Sequence, residues 1–400
     1  MPVFSPRTIT AARNGDLVVF GINGFVLASW MSRVPDVKDI LDLTPGRLGI
    51  MLLALSAGSL LGLPMAGRIA DRIGAVWTVR LGMLVVAPGA ILAAVAVQLG
   101  ISMYLVMPGL FMLGLGMGVW DVAQNLEGTV IERALDKAIM PWFHAAFSGG
   151  TVLGALVGAG LVWLRTSVAA HMIAVAALTV IIVWWGTSRF LPSFPQPQDD
   201  GSSPTQPGGS AWLEPRTLLI GIMVLAAAFT EGTANDWMAV AFVEGHGLDN
   251  ALGVLALAVF LTFMTAGRIV GTGLLNRHGR IPVLRGLFIS ALIGCGLVVF
   301  GNTWLAFAGA AIWGLGASLG FPVGMSAAAD DPLKASVRLS VVSTIGYGAF
   351  LAGPPLLGFL GDHLGVLRAL LLVGAVSIFA ILVVPVAKPL GPAKTSQPQP

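Results

Sequence analysis

Along the chain, apolar stretches of about 20 residues alternate with short polar turns. Twelve are found, at 14–34, 48–66, 80–98, 103–127, 142–163, 168–187, 217–243, 250–272, 281–300, 303–325, 337–360 and 366–386. A helix rising 1.5 Å per residue needs about 20 residues to cross a hydrocarbon core of ~30 Å. The pattern therefore predicts an all-α membrane protein with twelve transmembrane helices. One interruption is much longer than the rest. Residues 190–216 are rich in Pro, Gly, Ser and Gln, too polar to bury a core of their own, and read as a flexible linker. They divide the chain into an N-terminal six-helix bundle, 1–189, and a C-terminal one, 217–387, with 388–400 expected as a disordered tail.

The two halves repeat each other. Leu48-Gly49 opening span two recurs as Leu252-Gly253 opening span eight, and the turn Asp71-Arg72-Ile73-Gly74 recurs as Asn276-Arg277-His278-Gly279. Trp30-Met31 and Gly114-Leu115-Gly116 return as Trp237-Met238 and Gly314-Leu315-Gly316, at offsets of 200 to 207 residues. Parallel repeats of this kind predict two pseudo-symmetric six-helix bundles. Composition agrees: 56% of residues are hydrophobic, 10% are charged and the mean hydropathy is +0.88. The net charge is only +3, and no basic tract for nucleic acid stands out. Sixteen Lys and Arg fall on the side of the termini and linker, against five opposite (Arg33, Lys38, Arg47, Arg165 and Arg368), with Arg268 inside a span. The positive-inside rule places both termini and the linker in the cytoplasm. The single cysteine, Cys295, excludes an intrachain disulfide.

Polar residues inside the spans carry the chemistry. In LGLGMGVWDVAQNLE, residues 113–127, Asp121 costs on the order of 2.5 to 3.5 kcal/mol at the centre of a membrane helix. Gln124 and Asn125 follow it within one turn. Asp121 is either a structural acid, satisfied by a backbone donor or by His144, or a proton carrier. Span seven holds Glu231, Asn235 and Asp236 beside Trp237, and span one holds Asn23. Asp236, nearer the outer end, is alternatively a solvated interfacial residue. Arg268 reads as a snorkelling or paired structural base, or as a counter-ion for an anion. His144 offers a structural hydrogen bond or a proton relay. Tyr347 presents a mid-span hydroxyl, and Trp237, like Trp30, Trp120 and Trp313, either packs helices or stacks a ligand. No phosphate loop, HExxH or CxxC pattern occurs, so neither an enzyme nor a bound metal or cofactor is expected, and transport would run on a gradient.

The segment GRIADRIG, 67–74, resembles the loop motif of the major facilitator superfamily, Gly-x-x-x-Asp-Arg-x-Gly. GVWDVAQN is similar to the fourth helix of the fucose-permease-like branch. MPWFHAAFSGGTVLGA (140–155), EGTANDW (231–237) and GFPVGMSAAADDP (320–332) resemble the YbjJ-type bacterial subgroup of that branch. The resemblance implies the major facilitator fold, a cavity lined mainly by helices one, four, seven and ten, alternating access and a place in the bacterial inner membrane. It makes Asp121, Glu231, Asp236 and His144 candidates for proton coupling. Asn23, Gln124, Asn125, Asn235, Trp237, Arg268 and Tyr347 become candidates for substrate contact. Gly67, Asp71 and Arg72 become a conformational latch, weaker in the second repeat where Asn276 replaces the acid. The expected function is proton-coupled uptake of a small, sugar-like or otherwise polar solute by a monomer in the lipid bilayer. Its alternatives are proton-driven efflux of amphipathic or cationic compounds, and a non-transporting receptor or scaffold that keeps the transporter fold.

Overall fold

The computed structural model describes residues 4–137, 139–191, 211–331 and 334–390, whose regular structure is helical throughout. Residues 192–210 and 391–400, where most of the expected linker and tail fall, lie outside the described residues. The N-terminal half contains α1 (Pro6–Met31), α2 (Val34–Ile40), α3 (Pro45–Gln98), α4 (Met103–Leu135), α5 (Met140–Trp163) and α6 (Val168–Thr187). The C-terminal half contains α7 (Pro215–His246), α8 (Asn250–His278), α9 (Arg280–Phe300), α10 (Thr303–Ala317), α11 (Gly320–Ala328), α12 (Ala335–Leu364), α13 (Val366–Ala369) and α14 (Leu371–Val383).

The 54 residues of α3 are too many for one crossing. Straight, they would extend about 80 Å, well over twice the hydrocarbon core. Gly74 breaks the helix at φ 78°, ψ 164°, a conformation open only to glycine, so α3 supplies both span two and span three. Gly279 adopts the same turn, φ 79° and ψ 173°, between α8 and α9. Eleven apolar helical stretches among the described residues thus make the twelve expected spans. Ser5, Thr44, Ser102, Ser167, Asp249 and Asn302 open their helices by accepting a backbone N–H from within the first turn. Each such cap contributes about 0.5–2 kcal/mol. The expected continuous span ten is interrupted between Ala317 and Gly320. Pro322 has no N–H to donate to the Ser318 carbonyl one turn back, so the helix is relieved of that bond there.

Within each bundle, glycines bring backbones together. A Cβ on Gly89 would lie 2.8 Å from the Gly109 carbonyl oxygen, and one on Gly294 would lie 2.6 Å from that of Gly309, the equivalent contact of the second half. Gly82 is equally confined, 2.7 Å from Gly116 O and 2.8 Å from Trp120 Cβ by the same measure. Such small-residue seams let dispersion and close packing hold helices together where lipid removes the hydrophobic driving force.

The halves meet through α3 on α12 and α5 on α8. At the face opposite the chain termini, Asn250 Nδ2 donates to Asp36 Oδ1 at 2.8 Å and to Asp39 Oδ2 at 2.9 Å, Lys38 pairs with Glu244, and the Gly46 N–H donates to Asp362 Oδ1 at 2.9 Å. Asp36 is itself held by Arg33, whose Nη1 donates to it at 2.8 Å and whose Nε donates to His171 Nδ1 at 2.8 Å. At the terminal face, two ion clusters tie the C-terminal bundle together. Glu214 accepts from Arg338 Nε at 2.7 Å and Lys334 Nζ at 2.9 Å. Asp330 accepts from Arg280 Nη1 at 2.6 Å and Arg216 Nη2 at 2.9 Å. Arg338, and then Lys334, hold the Glu214 carboxyl down to about 2. Burial pushes Asp330 up, but the guanidinium groups of Arg280 and Arg216 outweigh it and keep the carboxyl below its ordinary value.

Two outcomes follow from this packing. A Gly82→Val variant should lose about 1–3 kcal/mol of stability by separating spans three and four, whereas Gly160→Val, where an added Cβ meets nothing within 4 Å, should leave the thermal midpoint in detergent unchanged. Because Glu214 falls from an ordinary 4.5 to about 2 on folding, its stabilisation is complete above pH 4.5 and is lost as pH falls toward 2. Acid unfolding followed by tryptophan fluorescence should show that loss in the parent and a shallower slope in Glu214→Gln.

Candidate functional site

Arg268 on α8 is the most heavily engaged side chain at the contact between the bundles. Its Nη2 donates to Glu231 Oε1 of α7 at 2.9 Å, its Nη1 to Ser148 Oγ of α5 at 3.2 Å, and its Nε to the Ser318 carbonyl at 3.3 Å. That carbonyl is the one Pro322 leaves without its helical donor, so a local sequence feature of span ten supplies the third acceptor. Ser148 belongs to the other half and is buried, which makes Arg268 a polar bridge between bundles in addition to the links at the face opposite the chain termini. His144, one turn before Ser148, is exposed and lies within coulombic range of Arg268. Arg268 and Glu231 keep 29% and 19% of their side-chain surface, so the pair is accessible to a solute.

Asp121 on α4 has a different environment. Its Oδ1 accepts from Gln124 Nε2 at 3.0 Å, while Asn125 Nδ2 donates to the Asp121 backbone carbonyl at 2.8 Å and not to its carboxylate. No cation is bonded to Asp121, and no hydrogen bond joins it to His144 among the described residues. It lies within coulombic range of Tyr347 of α12, in the opposite bundle. The Tyr347 ring lies 6.0 Å from Phe321 and 6.3 Å from Phe350, an aromatic wall beside the acid.

The remaining candidates are distributed differently. Asn23 and Trp237 are enclosed within their own bundles, and the Asn23 amide and the Trp237 Nε1 have no hydrogen-bond partner among the described residues. Asn235 Oδ1 is likewise buried without a partner, and Asp236 is half-buried with no bond to a described residue. Gly67 has open space around it, and Asp71 and Arg72 are exposed and bonded to no described side chain. The geometry therefore unites Arg268, Glu231 and His144 in one group and Asp121, Gln124 and Tyr347 in another, with Asn125 supporting the α4 backbone. Sequence reasoning missed Ser148 and the Ser318 carbonyl. It also missed the outer Arg33 and Asn250 network and two further acids, Asp16 of span one and Glu127 of span four. The signal for both acids was present, since each is a carboxylate inside an apolar run.

Twelve crossings in two repeated bundles, with ionisable groups gathered where the bundles meet, form an architecture of the membrane-transporter type. The chain belongs to the Major Facilitator Superfamily, whose sequence profile matches residues 17–332 and 255–400, and it is accordingly a multi-pass membrane protein of the transporter type. An uncharacterized transporter, y4wD, of Sinorhizobium fredii is 30% identical over 395 residues, covering 96% of this chain and 100% of the relative. Among solved structures, a point mutant of the nucleoside transporter NupG superposes with a TM-score of 0.77 at 15% identity, covering 93% of this chain and 99% of the other. A bacterial homolog of the human lysosomal transporter Spinster, in an inward-facing and unoccupied conformation, gives 0.74 at 13% identity over 98% and 100% of the two chains. At these identities the structural matches speak for the fold.

The Arg268 bridge is open to a direct test. Arg268→Gln and Glu231→Gln should each destabilise the protein, and the double variant should be less destabilised than the sum. A double-mutant cycle on thermal or denaturant midpoints is expected to give a coupling of about 0.5–3 kcal/mol.

Proposed function

We propose that the protein is a proton-coupled importer of a small polar solute, working by alternating access as a monomer in the bacterial inner membrane. Asp121 is the observation that carries this reading. It is an intramembrane acid within coulombic range of Tyr347 in the opposite bundle and bonded to an amide, with no counter-cation among the described residues. An acid so placed can take a proton when neutralisation is favoured and release it when hydration changes, whereas a firmly ion-paired acid is held charged. Glu231 is paired with Arg268 and acts with it on the solute: a hydroxyl or anionic group entering the site competes for Arg268 and loosens its bond to Ser148, which links solute occupancy to the contact between bundles. Asn235, Gln124 and Tyr347 add hydrogen-bonding capacity around the site.

The basic residues on the terminal side support a cytoplasmic orientation for that face. Four polar links between the halves, among the described residues, gather at the opposite face, and this supports an inward-facing state closed to the outside. In that state Asp71 stands free of described partners, and we assign its latching contact to the outward-facing state. Within the superfamily, the Asp121 and Asn125 spacing and the runs at 140–155 and 231–237 support membership of the fucose-permease-like branch and its YbjJ-type subgroup. A second reading, efflux of an amphipathic cation, draws on the aromatic wall of Phe321, Tyr347 and Phe350 beside Asp121.

Proteoliposomes loaded with a pH-sensitive dye and screened against solute pools separate these readings. The expected result is inward proton movement driven by a polar solute gradient, abolished in Asp121→Asn with solute exchange retained, and reduced together with solute binding in Glu231→Gln. Proton movement opposite to that of a cationic solute would favour efflux. Full coupled flux in Asp121→Asn would overturn the assignment of the proton site.

A further inference from the structure

We propose that Asp16 and Glu127 form a second proton-binding site, enclosed within the N-terminal bundle, that relays protons between Asp121 and the terminal face, alongside Gln124, whose amide holds Asp121 without itself carrying the proton. The inference rests on the proton-coupled reading above and extends it along the bundle.

Asp16 lies on α1 ten residues after Pro6, well inside the helix, and its surface is fully enclosed. Neither of its carboxylate oxygens has a hydrogen-bond partner among the described residues. This is an unusual condition for an acid. An ionised carboxylate removed from water needs a cation or several N–H donors around it. The groups facing Asp16 supply neither. From α4 comes Glu127, a second carboxylate, 3% exposed and within coulombic range. The neighbouring Gly128 lies so near that a Cβ there would be 3.3 Å from Asp16 Oδ2, 3.2 Å from Phe143 and 2.9 Å from the Met140 sulfur of α5. His144, also of α5, packs edge-on against Phe20, one turn along α1 from Asp16. After α6, Arg189 brings its Cβ near Gly15 of α1. Its guanidinium stacks 3.6 Å over Trp185 and donates to the Trp185 carbonyl at 2.9 Å. Arg13 of α1 is bonded to Asn14 at the surface. Two acids thus share an enclosure without a described cation, and a proton held there neutralises one of them, leaving a single negative charge that the Leu191 N–H helps to hold on Glu127.

The site is connected toward Asp121. Positions 121, 124 and 127 follow one another at one helical turn or slightly less, about 4.5 Å of rise per step. Gln124 already gives its Nε2 to Asp121 Oδ1 at 3.0 Å, and its Oε1 is buried with no described partner, free to accept a hydrogen bond. Glu127 is anchored at the other end, where its Oε1 accepts the Leu191 N–H at 2.7 Å just past α6. In each transfer one O–H bond breaks on the donor carboxyl and one forms on the acceptor carboxylate, with water completing the gaps that side chains leave. The proton leaves to cytoplasmic water, and the net charge of the pair with Asp121 is conserved until that last step.

Infrared difference spectroscopy of the full chain in lipid nanodiscs, titrated in KCl buffers, reads the site without a solute. The parent should show the carbonyl stretch of an enclosed neutral carboxylic acid. Asp16→Asn should remove a component of that band, and Asp121→Asn should leave the Asp16 component in place. If Asp16→Asn does not fold, Glu127→Gln serves instead, and it should shift the Asp16 component by removing its neighbouring acid. A band unchanged in the folded variant overturns the proposal, as does its loss when NaCl replaces KCl at constant pH, which would make this a metal-cation site. In the dye-loaded proteoliposomes, Asp16→Asn and Glu127→Gln should each lower solute-driven proton uptake at least tenfold with solute exchange retained. Parent-like coupled flux in both variants, together with loss of coupling in Asp121→Asn, would defeat the relay alone. Parent-like flux in Asp121→Asn would instead defeat the proton-coupled reading on which it rests.

Discussion

An ionised side chain inside a bilayer has to bring its own solvent, and in this protein Arg268 shows how that requirement organises the structure. Its five N–H donors sit where lipid offers no acceptor, so acceptors have to come from the chain. One comes from Glu231 of the neighbouring helix, one from a carbonyl that Pro322 has removed from the helical ladder, and one from Ser148 of the other bundle. The break between α10 and α11, the charge on α7 and the contact of α5 with α8 all serve the same guanidinium. A change at any of these acceptors alters the contact between halves.

The rest of the architecture confines change to that contact. Glycine seams such as Gly89 on Gly109 and Gly294 on Gly309 leave no room for helices to slide within a bundle. The ion clusters on Glu214 and Asp330 hold the ends of α7, α9, α11 and α12 as a unit. Between the halves, four of the described polar links gather at one face, and Arg268 on Ser148 adds another away from it; polar contacts of this kind can be exchanged with water at modest cost. Rigid bundles with an exchangeable seam are what a rocking motion about a central site needs.

Polarity inside the N-terminal bundle is distributed as a line of incompletely bonded groups. Asp16, Asn23 and Trp30 on α1, and Trp120 and Gln124 on α4, all keep buried polar atoms without described partners. Buried polar atoms left this way are ordinarily satisfied by internal water. The C-terminal bundle carries a shorter counterpart in Thr233, Asn235 and Trp237, without described acids as deeply enclosed as Asp16.

The number of spans, the two-fold repeat and the turn at Gly74 with its partner at Gly279 were legible in the sequence, because length, apolar content and glycine placement are local and lipid penalises every alternative. Asp121, Glu231, Asp236 and Arg268 were legible as well, since a charge in an apolar run stands out, while Asp16 and Glu127, near the ends of their runs, were missed. Which of them meet was not. Arg268 and Glu231 are 37 residues apart and Arg268 and Ser148 are 120 apart, and hydropathy says only that each is buried, not which face of its helix it occupies against which neighbour. The freed Ser318 carbonyl, the enclosure of Asp16 beside Glu127 and the separation of Trp237 from the site arise from helix rotation and crossing within the bundles. By itself, the sequence determined how often the chain crosses the membrane and where ionisable side chains fall within its apolar runs. Only the tertiary structure decided their partners, because partners in a bilayer are set by the close packing of helices distant in sequence.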